Sequence, residues 1–351
     1  MHLVEEIRNA IQSKGGTKGY VKFVESLVKK DANGKRQMEP EEFSFKAIWE
    51  AFYQEAGCRE EAVDSTAFAK ATGALINAKV IDGYQSIDAI GDKLVTVIPS
   101  KLKMETIVGF NALDTPEEVS EGMPYPASSM GEKYVTVNNT KWGRIIDITE
   151  ETIMFDQTGQ ILVRSYGLGE KAALKKEQII IEGATEITSN VYKPSGAGTT
   201  LYTGSSLSAS SPLGTVGIQN VENKLREMTD ENSNPVVIPL PWILLLPSEL
   251  YPEGRKLYTS ERDPDNAENA DNIFRNLYNP VTSPFLTSST QWWMGNFKRE
   301  FVWTQVYGLE TLSRPTGTDA DFERDIRYQH KVRFYGGIGA VDNKYVVKAT
   351  A

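Results

Sequence analysis

The chain has 351 residues, a formal charge of -9 and a single cysteine, Cys58. Its length and 40% hydrophobic content allow one large core or two ordinary ones, and two intertwined domains fit better. The acidic balance argues against a surface that grips many phosphates, and Cys58 has no partner for an intrachain disulfide.

In chain order, the first turns carry Glu5, Glu6 and Arg8 and lack the apolar core of a signal peptide, so secretion is not expected. Residues 17–30 place Tyr20, Phe23, Val24, Leu27 and Val28 on one helical face, and Asn33-Gly34 supplies a turn. Pro40 sits at a first helical position with Glu41 and Glu42 beside it, Phe45, Ile48, Trp49 and Phe52 follow, and Gly57 ends the pattern. The first 60 residues therefore read as two amphipathic helices. Their stripes must be buried either on their own body or on a neighbouring subunit. A third helix is predicted over 63–78, then strands over 93–97 and 106–110.

Residues 121–182 are the most informative stretch. Glu121-Gly122-Met123-Pro124-Tyr125-Pro126 opens a ribbon that runs through residues 133–137, turns near Asn138-Asn139 and returns over 142–148 as a predicted hairpin. An isolated two-stranded hairpin is marginal in water, so this one requires a sheet, a helix or another chain to lie on. Asp156 then caps a helix in which Ile161, Leu162, Ser165, Gly169, Ala172, Ala173, Lys176, Ile179 and Ile180 recur at three- and four-residue spacing. Residues 156–182 would form a rod of about 40 Å, and the small residues would allow close packing along it.

Residues 188–212 are rich in Ser, Gly and Thr and read as a flexible crossing. A helix is predicted over 216–228 and a buried strand over 236–246, punctuated by Pro241 and Pro247. That oily run is far below the roughly 20 residues of a membrane span. Residues 261–271 read as a solvated acidic loop; they lack the glycine and closing glutamate of a calcium loop. Tyr328, His330, Val332 and Phe334 alternate with Arg327, Gln329, Lys331 and Arg333 in a strand with one apolar and one cationic face, bent by Gly336-Gly337. A last strand is predicted over 344–348.

Catalytic signals are weak. His330, in the apolar register of its strand, reads as a satisfied core imidazole, and Cys58 carries no sign of activation. Gly336-Gly337-Ile338-Gly339 precedes no helix, and Ser195-Gly196-Ala197-Gly198 lacks a phosphate-loop lysine. Asp147, Glu150 and Glu151 offer paired carboxylates for glycoside hydrolysis, a pattern that also arises by chance in an acidic chain.

The ordered pieces resemble the major capsid proteins of tailed bacteriophages, the group with the fold first described for phage HK97. The resemblance rests on the Glu121-Gly122 and Tyr125-Pro126 opening, Trp142-Gly143-Arg144 with Thr149-Glu150-Glu151, and Leu168-Gly169-Glu170-Lys171-Ala172-Ala173. It continues with Trp242-Ile243-Leu244-Leu245-Leu246-Pro247, Trp292-Trp293-Met294-Gly295 and the segment from Arg333-Phe334-Tyr335 to Asp342. It implies an α+β fold with an N-terminal helical arm (1–62), a peripheral domain (63–113), an extended loop (114–150), a spine helix and further peripheral domain (151–212), an axial domain (213–322) and return strands (323–351).

The implied function is a non-enzymatic shell subunit, forming hexamers and pentamers of an icosahedral shell around double-stranded DNA. It would carry no cofactor or metal, be assembled in the host cytoplasm into a virion, and bind DNA only by enclosure. Its partners would be a portal protein, with scaffolding and decoration proteins as further candidates, and no membrane. Tyr125, Tyr134, Trp142 and Arg144 are the candidate contacts between subunits, with packing inside one chain as the alternative role. Lys133 and Lys141 lie where some relatives form crosslinks, but no matching Asn or Glu is evident, so none is expected. Met1 and the short N-terminal region predict a separate scaffold or none. An encapsulin-type cargo compartment and, more distantly, an acid-catalysed carbohydrate-active enzyme are the alternatives.

Overall fold

The computed structural model describes residues 2–14, 17–55, 63–110, 118–119, 123, 132–155, 158–187, 202, 208–230, 233–265, 270–315 and 325–350. The chain divides into two compact units. The first combines Met1–Asp88, Lys141–Lys175 and Gly308–Phe334; the second combines Ala89–Thr140, Lys176–Tyr307 and Tyr335–Ala351.

The first unit opens with helices α1 (His2–Ser13), α2 (Thr17–Val28), α3 (Phe45–Glu55) and α4 (Val63–Ser86), with a 3-10 turn at Pro40–Glu42 before α3. Sequence reasoning did not anticipate α1, although Val4, Ile7 and Ile11 carry its apolar spacing. Tyr20, Val24, Val28, Ile48, Phe68 and Leu75 are buried in one cluster with Ile148, Ile161 and Tyr328. The N-terminal apolar stripes are thus covered by their own chain. Trp49, Phe68 and Tyr328 meet edge-on or tilted, with centroids 4.7 to 6.0 Å apart, an arrangement that adds to the gain from burial. Arg36 braces α4 with a two-pronged bond to Asp82, at 2.6 and 2.9 Å. Burial pushes the Asp82 pKa up, but hydrogen bonds from Arg36 and Lys30 outweigh it and hold the carboxyl below its usual range.

Next come α5 (Gly91–Leu94), β1 (Thr96–Pro99), β2 (Met104–Phe110), β3 (Glu132–Asn138), β4 (Thr140–Thr149), α6 (Glu150–Met154) and α7 (Thr158–Glu186). The long helix predicted over 156–182 is α7, 29 residues and about 44 Å long; Asp156 lies outside the described residues. In the first unit α7 crosses α4 at glycines. A Cβ on Gly83 would overlap the Tyr166 carbonyl, and one on Gly169 would overlap the Val80 carbonyl. The spacing of small residues had marked this close approach.

The predicted hairpin between residues 133–137 and 142–148 does not form. β3 pairs antiparallel with β2, from Met104 opposite Asn138 to Phe110 opposite Glu132. β4 instead lies beside β10 (Ile326–Ala340) in a four-stranded sheet of order β1-β9-β10-β4, where β9 is Phe301–Pro315. Asn139 is the reason. It is a buried node, not a turn tip: its Nδ2 donates to Ser100 Oγ and the Leu102 carbonyl, and its Oδ1 accepts from Thr304 Oγ1 at 2.6 Å. These bonds redirect the chain from ribbon to sheet.

The second unit is completed by β5 (Ser208–Ser210), α8 (Thr215–Arg226), β6 (Ile243–Leu246), α9 (Tyr251–Thr259), β7 (Asn279–Thr282), β8 (Gln291–Gly295), α10 (Phe297–Glu300) and β11 (Val346–Thr350). Five of these strands form a sheet of order β5-β11-β8-β6-β7, so β10 and β11 join different sheets. Its core gathers Leu244, Leu246, Trp292, Met294 and Val347 against Ile218, Val221 and Leu225 of α8. Only the last four residues of the predicted 236–246 strand are β; Val237 is 84% exposed. The prolines at 239 and 241 withhold the backbone donors a longer strand needs. The acidic loop is structural: Asp263 Oδ1 accepts from Thr215 Oγ1, and Asp265 Oδ2 accepts from Thr215 N, capping α8 where Gly214 has no side chain to do so. Of the predicted crossing at 188–212, residues 188–201 and 203–207 lie outside the described residues.

β10 alternates as predicted, with Tyr328, His330, Val332 and Phe334 buried. Gly336-Gly337 does not interrupt it. The requirement for glycine is close approach: a Cβ at Gly336 would press on the Thr304 carbonyl and the Trp303 ring.

Candidate functional site

A two-stranded ribbon exists only where something supports it, and β2-β3 is supported on one face. Ile107 is half-buried and Val135 and Val137 are buried, whereas Met104, Val108 and Tyr134 on the opposite face are 57%, 60% and 67% exposed. Strand alternation produces this split, and the register sets Val108 directly opposite Tyr134. The result is an exposed face on which the Thr106–Thr136 pair separates Met104 from the Val108–Tyr134 pair, with the aromatic and methionine character of contact surfaces.

The four predicted contact residues occupy different environments. Tyr134 stands on the exposed ribbon face. Trp142 is half-buried on β4 and stacks on Phe334 of its own chain, with centroids 5.4 Å apart. Arg144 is exposed on β4, and Tyr125 lies outside the described residues. Met104 and Val108 were missed, although their alternation with Glu105 and Ile107 was available in the sequence. Further exposed apolar side chains are Met154 of α6, the adjacent Phe155, and Val163 of α7.

On the predicted cationic face of β10, Arg333 is engaged and Lys331 is exposed. Arg333 bonds Glu310 at 2.9 Å, and Gln329 bridges Asp147 and Arg314. Nor do the candidate carboxylates form a reaction centre. Asp147 accepts from Gln329, while Glu150 and Glu151 occupy the first turn of α6, where helix polarity favours negative charge and Thr149 caps the Thr152 amide.

His330 differs from expectation in one respect. It is fully buried, but neither ring nitrogen has a hydrogen-bond partner among the described residues. Burial pushes its pKa down to about 4, so the imidazole is neutral at pH 7 and has no acceptor orienting it as a base.

A surface-built site calls for comparison with proteins that work by surfaces. Residues 133–349 match the family model described as phage capsid protein. The chain belongs to that family. A comparison with curated proteins finds no match. Among solved structures, the capsid protein is similar to the capsid of an empty GTA particle, with TM-score 0.52 and 9% identity over 75% of this chain and 89% of that one. It is also similar to a chain of Mycobacterium phage Bobi, with TM-score 0.50 and 15% identity over 75% and 90% of the two chains. The fold is accordingly HK97-like α+β. The capsid protein is a structural shell component of a virion, and no helix among its described residues is long and apolar enough to cross a membrane.

Proposed function

We propose that this capsid protein assembles as hexamers and pentamers into an icosahedral shell around double-stranded DNA, and that the β2-β3 ribbon is the arm by which one subunit lies on the next. The exposed Met104-Val108-Tyr134 face carries this reading, because an apolar ribbon face left in water costs free energy that a neighbouring subunit would recover at about 25 cal/mol per Å² buried. We place the extended loop at residues 104–138, from the start of β2 to the end of β3, in preference to 114–150. The spine is α7, and the axial domain is built on the five-stranded sheet. The N-terminal helices α1 to α3 pack on their own subunit. Portal, scaffolding and decoration proteins would be its partners, and DNA would be held by enclosure within particles assembled in the host cytoplasm.

Rings built this way use heterologous contacts that repeat by symmetry, so a modest loss at each contact is multiplied around the shell. Tyr134→Ser combined with Val108→Ser should leave the monomer folded, with its unfolding midpoint nearly unchanged, while sharply reducing the yield of closed particles in sedimentation. Full particle yield from the double variant would refute the ribbon's role. Particles filled with protein cargo in place of DNA would favour the compartment alternative.

A further inference from the structure

Within the first unit, α2, α4 and β9 enclose a cleft of about 580 Å³. Lys29, Lys30, Arg36 and Lys70 line it around apolar Ala74 and Ile81, and Glu25 is the one carboxylate among the lining residues. In a chain of net charge -9, such a concentration of cations is unexpected.

Not all of this charge is spent at home. Asp82 takes Arg36 and Lys30, at 2.6 and 2.8 Å. Lys29 and Lys70 are exposed, with no carboxylate partner recorded among the described residues. The Arg36 side chain is only 5% exposed and is also paired with Glu39 at 3.3 Å, so the cations open to a ligand are the exposed Lys29 and Lys70. The space is far larger than a phosphate needs, and Val28, Ala78 and Ile81 give it an apolar lining that suits a peptide.

The chain itself contains a matching segment. Between residues 111 and 131 it carries Asp114, Glu117, Glu118 and Glu121 and no Lys or Arg. This stretch joins the ends of β2 and β3, seven paired residues from the ribbon's base, roughly 20 Å along the strands. By contrast, the acidic loop near Asp263 spends its carboxylates on α8, and Glu261 pairs with Arg275. We infer that the cation-lined cleft between α2, α4 and β9 receives the acidic segment 114–121, which links β2 to β3 in sequence, of a second copy of this chain. The inference rests on the shell reading and supplies that contact with a specific seat: the apolar ribbon face provides adhesion and the acidic segment provides register.

The test is a cross-link between two distinguishable copies, both carrying Cys58→Ser. One is tagged and carries Lys70→Cys; the other is untagged and carries Glu118→Cys. After co-assembly, a short bismaleimide should join the two copies in particles but not in unassembled protein. Replacing Asp114, Glu117 and Glu121 by their amides should reduce that product at least tenfold. Particles that form without the cross-link would overturn the seat and leave the shell reading standing; the absence of particles or rings under any condition would remove both. Cross-linking that occurs only within one chain carrying both cysteines, or that ignores the amide changes, would also overturn it. So would protection of Lys70→Cys from maleimide only when DNA is packaged, which would assign the cleft to nucleic acid.

Discussion

Among the described residues, His330 departs furthest from ordinary hydrogen-bond satisfaction, with both ring nitrogens buried and unpartnered. The folded chain holds its pKa at about 4, below the ordinary 6.5, because burial penalises the imidazolium. The unfolded chain therefore takes up a proton that the fold refuses. Stability is complete above about pH 6.5 and is lost progressively as pH falls toward 4, by a total on the order of 3 kcal/mol. Urea unfolding at pH 7.5 and 4.5 should show this difference, and His330→Leu should flatten it; an unchanged slope in the variant would assign the acid sensitivity to other groups. The alternation of β10 revealed that His330 faces inward. Its missing partner was not legible there, since partners come from segments distant in sequence. Asn139 shows the same limit: Asn138-Asn139 has the local chemistry of a turn, but Thr304, 165 residues away, determines what Asn139 does.

At the scale of elements, periodicity read well wherever a segment's burial was decided by its own pattern. The spacing of Ile161, Leu162, Ser165 and Gly169 located α7 and the side along which another helix approaches it. Two of the four glycines of α7, Gly167 and Gly169, separate local from tertiary effects. Gly167 has nothing within 4 Å of an added Cβ, whereas Gly169 sits against the α4 backbone. Gly167→Ala should therefore stabilise by about 0.5–1 kcal/mol through helix propensity. Gly169→Ala should destabilise by about 1–3 kcal/mol through forced separation of the helices. Equal effects in thermal unfolding would contradict the α4-α7 contact. The apolar run at 236–246 was misread because a short oily segment has no period that distinguishes strand from irregular buried chain. Strand partners were the least legible feature: β3 and β4 were each recognisable as strands, but their assignment to a ribbon and a sheet depends on β2, β9 and β10.

For the whole molecule, two separate cores explain a fold whose segments interleave. The first unit is closed by α1 to α4 against α7 and β10, and the second by the five-stranded sheet against α8. The ordered motifs revealed the family; they did not reveal Met104 and Val108, the apolar positions beside Tyr134 that give the ribbon its unpartnered face. A shell protein acts only when many copies close around a volume. Negative-stain electron microscopy of the protein, expressed alone and with its neighbouring genes at physiological salt, decides whether this chain does so. Closed particles, or rings of five and six, are the predicted result. Only small non-assembling species under both conditions would contradict it.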